Sequence, residues 1–236
     1  MSTTTTKSAY LQGVRDGAPF IFVAGPFALL FGVLAADAGL NLLEVIGFSL
    51  VVIAGAAQFT ALQLLQESAP VIVVILSALA VNLRVAMYSA ALTPYLGNLP
   101  IWKRAFVAYM LVDQSYALSH AKFEAEPALS SAHRTAYFFG TNTLVIPTWF
   151  GMSVVGAALG TQLPASIPLD FALPIAFLSI VAPMLRTLPH LIAAFVAVVV
   201  SLVCAGLPYS LGLFVGGLTG MIAGAQAEIR LMRPGA

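Results

Sequence analysis

The sequence predicts an all-α, polytopic membrane protein. Of its 236 residues 60% are hydrophobic and only 8% are charged, where a soluble domain carries about a quarter charged residues. Such a chain has too little polar surface to coat a water-soluble globule. Mean hydropathy is +0.98, and apolar stretches long enough to cross a bilayer recur along the chain, since a span needs about 20 mostly apolar residues. One arginine, Arg84, stands alone in an apolar run, with no other charge between Glu67 and Lys103. A charge at the bilayer centre costs roughly 2.5–3.5 kcal/mol on insertion scales, so something inside the protein must interact with it.

The N-terminal residues 1–16 are Thr/Ser-rich and read as a short disordered cytoplasmic tail. They lack the apolar core and cleavage site of a signal peptide. Residues 17–227 read as a single transmembrane domain and 228–236 as a short cytoplasmic C-terminal tail. The first span is expected at about 17–36. Ala24, Ala28, Gly32 and Ala36 repeat every four residues there, giving a face small enough for close helix contact. Pro26 is expected to kink it. A second span covers about 43–65, its centre running Ile53-Ala-Gly-Ala-Ala-Gln-Phe-Thr60. The third, about 70–95, holds Asn82, Arg84 and Tyr88. The fourth, about 103–120, is the most polar, with Asp113-Gln-Ser-Tyr116 near its middle. A polar loop leads to a fifth span at about 136–159, with Asn142 and Pro147 inside. The sixth, about 170–185, is short and cut by Pro174 and Pro183, and Asp170 fits the N-cap of its helix. Two more spans fit about 189–205 and 209–226. In the last, Gly212, Gly216, Gly220 and Gly224 form a stripe for close helix packing. This makes eight spans, or seven if the sixth does not cross.

Lys and Arg set orientation. With eight spans and the N-terminus inside, Lys7, Arg15, Lys122, Arg134, Arg186, Arg230 and Arg233 fall in the cytoplasm, and both termini are cytoplasmic. Lys103 and Arg104 are the misfits on the outer side. They either snorkel at the interface, or the third segment re-enters without crossing.

Several functions are excluded or disfavoured. Net charge is +1, so no basic surface suggests nucleic acid. The single Cys204 rules out an intramolecular disulfide framework and a Cys-based metal site, and His120, His133 and His190 show no ligand spacing. No ATP-binding loop, cofactor loop or nucleophile–base set is present, so neither enzyme chemistry nor a cofactor is expected.

The polar residues within the spans carry the functional reading. Arg84 and Tyr88 share a helix face, while Asn82 is offset by about 200° in a regular helix. All three serve one cavity only if that helix unwinds locally. Tyr109, Asp113 and Tyr116, at i, i+4 and i+7, form a second stripe. Gln58 and Thr60 follow Gly55-Ala56-Ala57, where backbone can approach a ligand closely. Arg84 has two readings: an ion pair with Asp113 that clamps two helices, or a bidentate site for a substrate carboxylate. Asp113 likewise is either that clamp or a proton or amine site. Gln58 is a ligand contact or interhelical glue.

Four motifs, Ile53-Ala-Gly-Ala-Ala-Gln-Phe59, Asn82-Leu-Arg84 followed by Tyr88, Val112-Asp-Gln-Ser-Tyr-Ala117 and Leu169-Asp-Phe-Ala-Leu-Pro174, resemble the AzlC (also called YgaZ-type) family. The likeness covers about residues 14–232. It implies the large subunit of a branched-chain amino-acid exporter in the bacterial inner (plasma) membrane, moving leucine, isoleucine and valine, sometimes methionine, with a small hydrophobic AzlD-type partner subunit. Arg84, Asn82, Tyr88, Gln58, Gly55 and Tyr116 are then the expected substrate residues, and Asp113 the expected proton-coupling residue. Family members commonly have Asp-Glu where this chain has Asp113-Gln114, and His after the Asn-Leu-Arg where it has Val85. If that Glu or His serves proton coupling, coupling here rests on Asp113 or works differently.

Overall fold

The computed structural model describes residues 5–162, 178, 185–207 and 211–232. The described residues form helices and connecting turns, as expected of an all-α membrane protein. Backbone contacts divide the chain into two compact units, Met1–Leu169 and Asp170–Ala236. The sixth expected span, Asp170 and the fourth motif lie outside the described residues, apart from Leu178 and Leu185.

The first unit is built on two long rods. Helices α1 (Thr6–Gly17) and α2 (Ile21–Asp37) join through a 3-10 turn, Ala18–Phe20, into one 32-residue rod. Helices α8 (Ser131–Asn142) and α9 (Val145–Gly160) join into a 30-residue rod. Helix α1 lies on α8 and α2 on α9, so the rods run parallel. Glycine lets their backbones touch. A methyl on Gly13 would strike the Tyr137 carbonyl and Gly140, and one on Gly32 would strike Ser153 and Ala157. Without a hydrophobic drive between helices in lipid, such close packing is what holds helices together.

The expected disordered tail is therefore incorrect from Thr6 onward. Thr5 caps α1, its Oγ1 accepting from Ser8 N–H at 3.2 Å. Ala9, Gly13 and Gly17 are buried, Tyr10 Oη meets Thr143 Oγ1 at 2.8 Å, and Tyr137 donates to Asp16 at 2.8 Å. The polar composition hid a small-residue face of the same i+4 kind as Ala24, Ala28, Gly32 and Ala36. Helix α2 continues through Pro26, and the departure from α geometry falls at Pro19 instead.

The second expected span is two half-length helices, α3 (Leu42–Val51) and α4 (Gly55–Gln66), separated by extended backbone at Val52 and Ala54. A capping box between Asn41 and Glu44 starts α3. Ser49 Oγ and Gln58 Nε2 are 3.5 Å apart across the break. Phe31 of α2 meets both Phe48 and Phe59, with centroids 5.9 and 5.7 Å away. Continuous helix would hold positions 49 and 58 about 13.5 Å apart. The chain therefore reverses, and α3–α4 is a re-entrant hairpin.

Helix α5 (Val71–Leu96) is a continuous 26-residue span. The third segment therefore does not re-enter; the second and fourth do. The fourth consists of α6 (Ile101–Tyr109) and α7 (Asp113–Ala125), broken at residues 110–112. Helix α6 runs antiparallel to α5, with Arg104 reaching the Gly97 carbonyl at 3.4 Å and Val107 and Leu111 in one cluster with Leu92 and Leu96. Helix α7 then runs parallel to α5. Asp113 stands opposite Arg84, Tyr116 opposite Tyr88, and Phe123 opposite Tyr95. Each half-helix reaches about 13–20 Å at 1.5 Å per residue, roughly half the bilayer core.

Reversal of both segments places the two hairpins at opposite ends of the unit. It also removes the charge misfit. Lys7, Arg15, Lys103, Arg104, Lys122 and Arg134 now share one end, while Asp37, Glu44 and Glu67 lie at the other. By the positive-inside rule the first end is cytoplasmic. The parallel rods fit either one or three crossings between them, but full crossings by the second and fourth segments would strand Lys103 and Arg104 outside.

In the second unit, α10 (Leu188–Val203) and α11 (Leu211–Met232) pack antiparallel. The stripe Gly212, Gly216, Gly220 and Gly224 lies on a matching ladder of Pro189, Ala193, Ala197 and Ser201, so its partner is within the chain.

Candidate functional site

The hairpin tips meet. Tyr109, at the end of α6, donates its hydroxyl to the Leu50 carbonyl at 2.6 Å. That carbonyl belongs to the last turn of α3, where backbone acceptors have no helical partner. Tyr109 thus does not share a face with Asp113 and Tyr116, because the helix expected to carry all three breaks between them. The break is stabilised locally by Ser115, whose Oγ accepts from Val112 N–H at 3.0 Å and donates to Val112 O at 2.9 Å.

Arg84 sits at the middle of α5, and its Nη2 lies 3.1 Å from Asp113 Oδ2. Asp113 opens α7, where a carboxylate also meets the positive end of the helix dipole. The side chains stay 35% and 50% exposed. That decides their setting: charges left open to hydrocarbon are costly, so the open faces address water or another protein surface. Arg84 Nε is buried and makes no hydrogen bond, leaving one edge of the guanidinium unused. Tyr88, one turn on, stacks on Tyr116 with centroids 4.2 Å apart and planes at 9°. Arg84, Tyr88, Asp113 and Tyr116 therefore form one cluster.

Helix α5 does not unwind at Asn82, so Asn82 points away from Arg84. Val74 and Ala78 pack with Ala61 and Leu64 of α4, and that antiparallel register carries Asn82 level with Gly55. Its Oδ1 is buried without a hydrogen bond. Gln58 is fully buried; its Nε2 reaches Ser49 and its Oε1 makes no hydrogen bond. Thr60 bonds its own helix at Ala56 O, 2.9 Å away. Gly55 lies under the ring of Trp149 from α9, which a Cβ would approach to 2.6 Å. Gly55 of α4 and Trp149 of α9 make a second cluster with Gln58, one turn on in α4, and Asn82 of α5 lies at about their level. Sequence reasoning missed Trp149 and Ser49. The small Gly55 signalled a close approach without naming what approaches.

A groove lined by Ser89, Leu92, Leu96, Arg104, Val107 and Leu111 runs between α5 and α6 on the cytoplasmic half. Its lining stops short of Arg84. Among the described residues no group of three or more His, Cys, Asp or Glu side chains gathers that could hold a metal ion.

The family model described as "AzlC protein" matches residues 19–163, more than half of the chain and all of both clusters. The chain belongs to the AzlC family. It is 27% identical over 179 residues to the inner membrane protein YgaZ of Escherichia coli K12, covering 73% of this chain and 72% of that one. It is 28% identical over 134 residues to an uncharacterized membrane protein of Helicobacter pylori strain J99, 57% of each chain. A membrane protein of Archaeoglobus fulgidus is 27% identical over 159 residues, 67% of this chain and 66% of that one. No solved structure matches. The chain is thus an AzlC-family membrane protein whose two polar clusters both fall within the family's matched region.

Proposed function

We propose that the protein is a secondary transporter exporting branched-chain amino acids, valine, leucine and isoleucine, across the bacterial inner membrane. The observation that carries this is the half-open Arg84–Asp113 pair beside hairpin tips that meet within the membrane. Transporters commonly place substrate at the ends of discontinuous helices. The exposed part of the Arg84 guanidinium suits a substrate carboxylate, Asp113 suits the ammonium or a proton, and the surrounding aliphatic residues suit a branched side chain. In this reading Asp113 couples export to protons, and no covalent chemistry is catalysed. A small AzlD-type subunit covers part of the apolar outer face of α5, which presents Leu76, Leu79, Leu83 and Met87. A non-transporting role, with Arg84–Asp113 as a clamp between helices, is the alternative, and the formed ion pair is the observation in its favour. Efflux of labelled valine from cells carrying the chain, with and without the partner subunit, tests the proposal. Expected is efflux above that of cells lacking the chain; efflux unchanged under both conditions supports the clamp.

A further inference from the structure

Trp149 brings to the first hairpin a group that nothing else there offers. Its Nε1 is buried and makes no hydrogen bond, although indole N–H groups usually find a partner when buried. The ring is held in place. It lies against Gly55 so closely that a Cβ there would sit 2.6 Å from the ring edge, and Gly55 begins a helix with no side-chain cap. The edge that meets Gly55 is the benzo side of the indole, Cη2, Cζ3 and Cζ2, so the unpartnered donor lies across the ring from the uncapped start of α4, near the break whose α3 side meets the second hairpin through Leu50 and Tyr109. Gln58 of α4 and Asn82 of α5 add buried oxygens that make no hydrogen bond. Unpaired buried polar atoms are rare and cost about 1–3 kcal/mol each. Trp149 and Gln58 thus leave one donor and one acceptor unsatisfied on side chains close to the start of α4.

We propose that Trp149 is a substrate-contact residue, whose indole N–H donates to the carboxylate of the transported amino acid while its ring walls the site over Gly55. This rests on the amino-acid reading above. A branched-chain amino acid has only its carboxylate to accept a hydrogen bond, so the donor has one possible target.

The chain has two tryptophans, Trp102 and Trp149, and Trp102 is exposed on α6, away from both clusters. Trp102→Phe therefore leaves Trp149 as the sole indole reporter. Purified Trp102→Phe protein is titrated with valine while emission is followed. Binding of labelled valine and thermal unfolding are measured in parallel on wild type and Trp149→Phe, which keeps a ring and removes the donor. Expected is a saturable emission change at the concentration where labelled valine binds, absent in Arg84→Ala, with Trp149→Phe binding valine roughly tenfold or more weakly at unchanged unfolding temperature. If labelled valine binds but Trp149 emission stays constant, or Trp149→Phe binds like wild type, the Trp149 proposal is overturned and the transporter reading stands. If wild type binds no valine, the amino-acid reading fails and this proposal fails with it.

Discussion

Arg84 engages Asp113 through one nitrogen and keeps its Nε edge unused. A lysine at this position would keep the charge but lose the planar fork that grips two carboxylate oxygens. Arg84→Ala is accordingly expected to abolish valine transport and Arg84→Lys to restore little of it, measured as initial efflux rates at matched protein levels. Near-normal transport by Arg84→Lys would make Arg84 a generic charge. Gly55→Ala tests the other hairpin. Its added methyl meets the Trp149 ring at 2.6 Å, and overpacking of this kind costs roughly 1–3 kcal/mol. The expected result is a marked loss of transport with protein still in the membrane, and unaltered transport would show that the Gly55–Trp149 contact is not needed. At this scale the sequence was informative about charge and less so about direction. Arg84 and Asp113 could be paired from their isolation in apolar runs. Asn82 could be set apart by its 200° offset, because α5 obeys helical periodicity throughout. Trp149 could not be placed, since an indole in an apolar span looks the same whether it faces lipid or a glycine.

The half-helix hairpins are the elements that sequence reading mistook for spans. The pairs Leu42–Gln66 and Ile101–Ala125 each have the length and composition of one crossing, and hydropathy registers content without direction. Two traces were present: small residues at 54–57, and the stranded Lys103 and Arg104. The close-packed elements were easier, because glycine and alanine at i+4 report contact directly. Gly216→Leu or Gly220→Leu would drive a large side chain into Ala197 and Ala193 of α10. These variants are expected to lose assembly, seen as low membrane level and poor co-purification of the proposed AzlD-type subunit, and wild-type values for both would contradict the packing role. The rods of the first unit are in backbone contact at Gly13–Gly140 and Gly32–Gly156.

For the molecule as a whole, reversal of both hairpins fixes which loops share a side. Ser68 lies between α4 and α5, and Asn98 between α5 and α6. With Cys204 replaced by serine, a cysteine at Ser68 should react with an impermeant thiol reagent from outside the cell and one at Asn98 should not. Two full crossings in place of the hairpins would exchange the two results. Within this topology Asp113 is the carboxylate beside Arg84 near mid-membrane, and no nucleotide-binding motif occurs in the sequence. A carboxylate that gains and loses a proton as substrate takes and leaves Arg84 would supply antiport. The direct measurement is valine movement in proteoliposomes under an imposed pH gradient, wild type beside Asp113→Asn. The expected result is gradient-driven net transport by the wild type, lost in Asp113→Asn while valine–valine exchange persists. Full gradient-driven transport by Asp113→Asn would place the proton elsewhere and return Asp113 to a structural clamp.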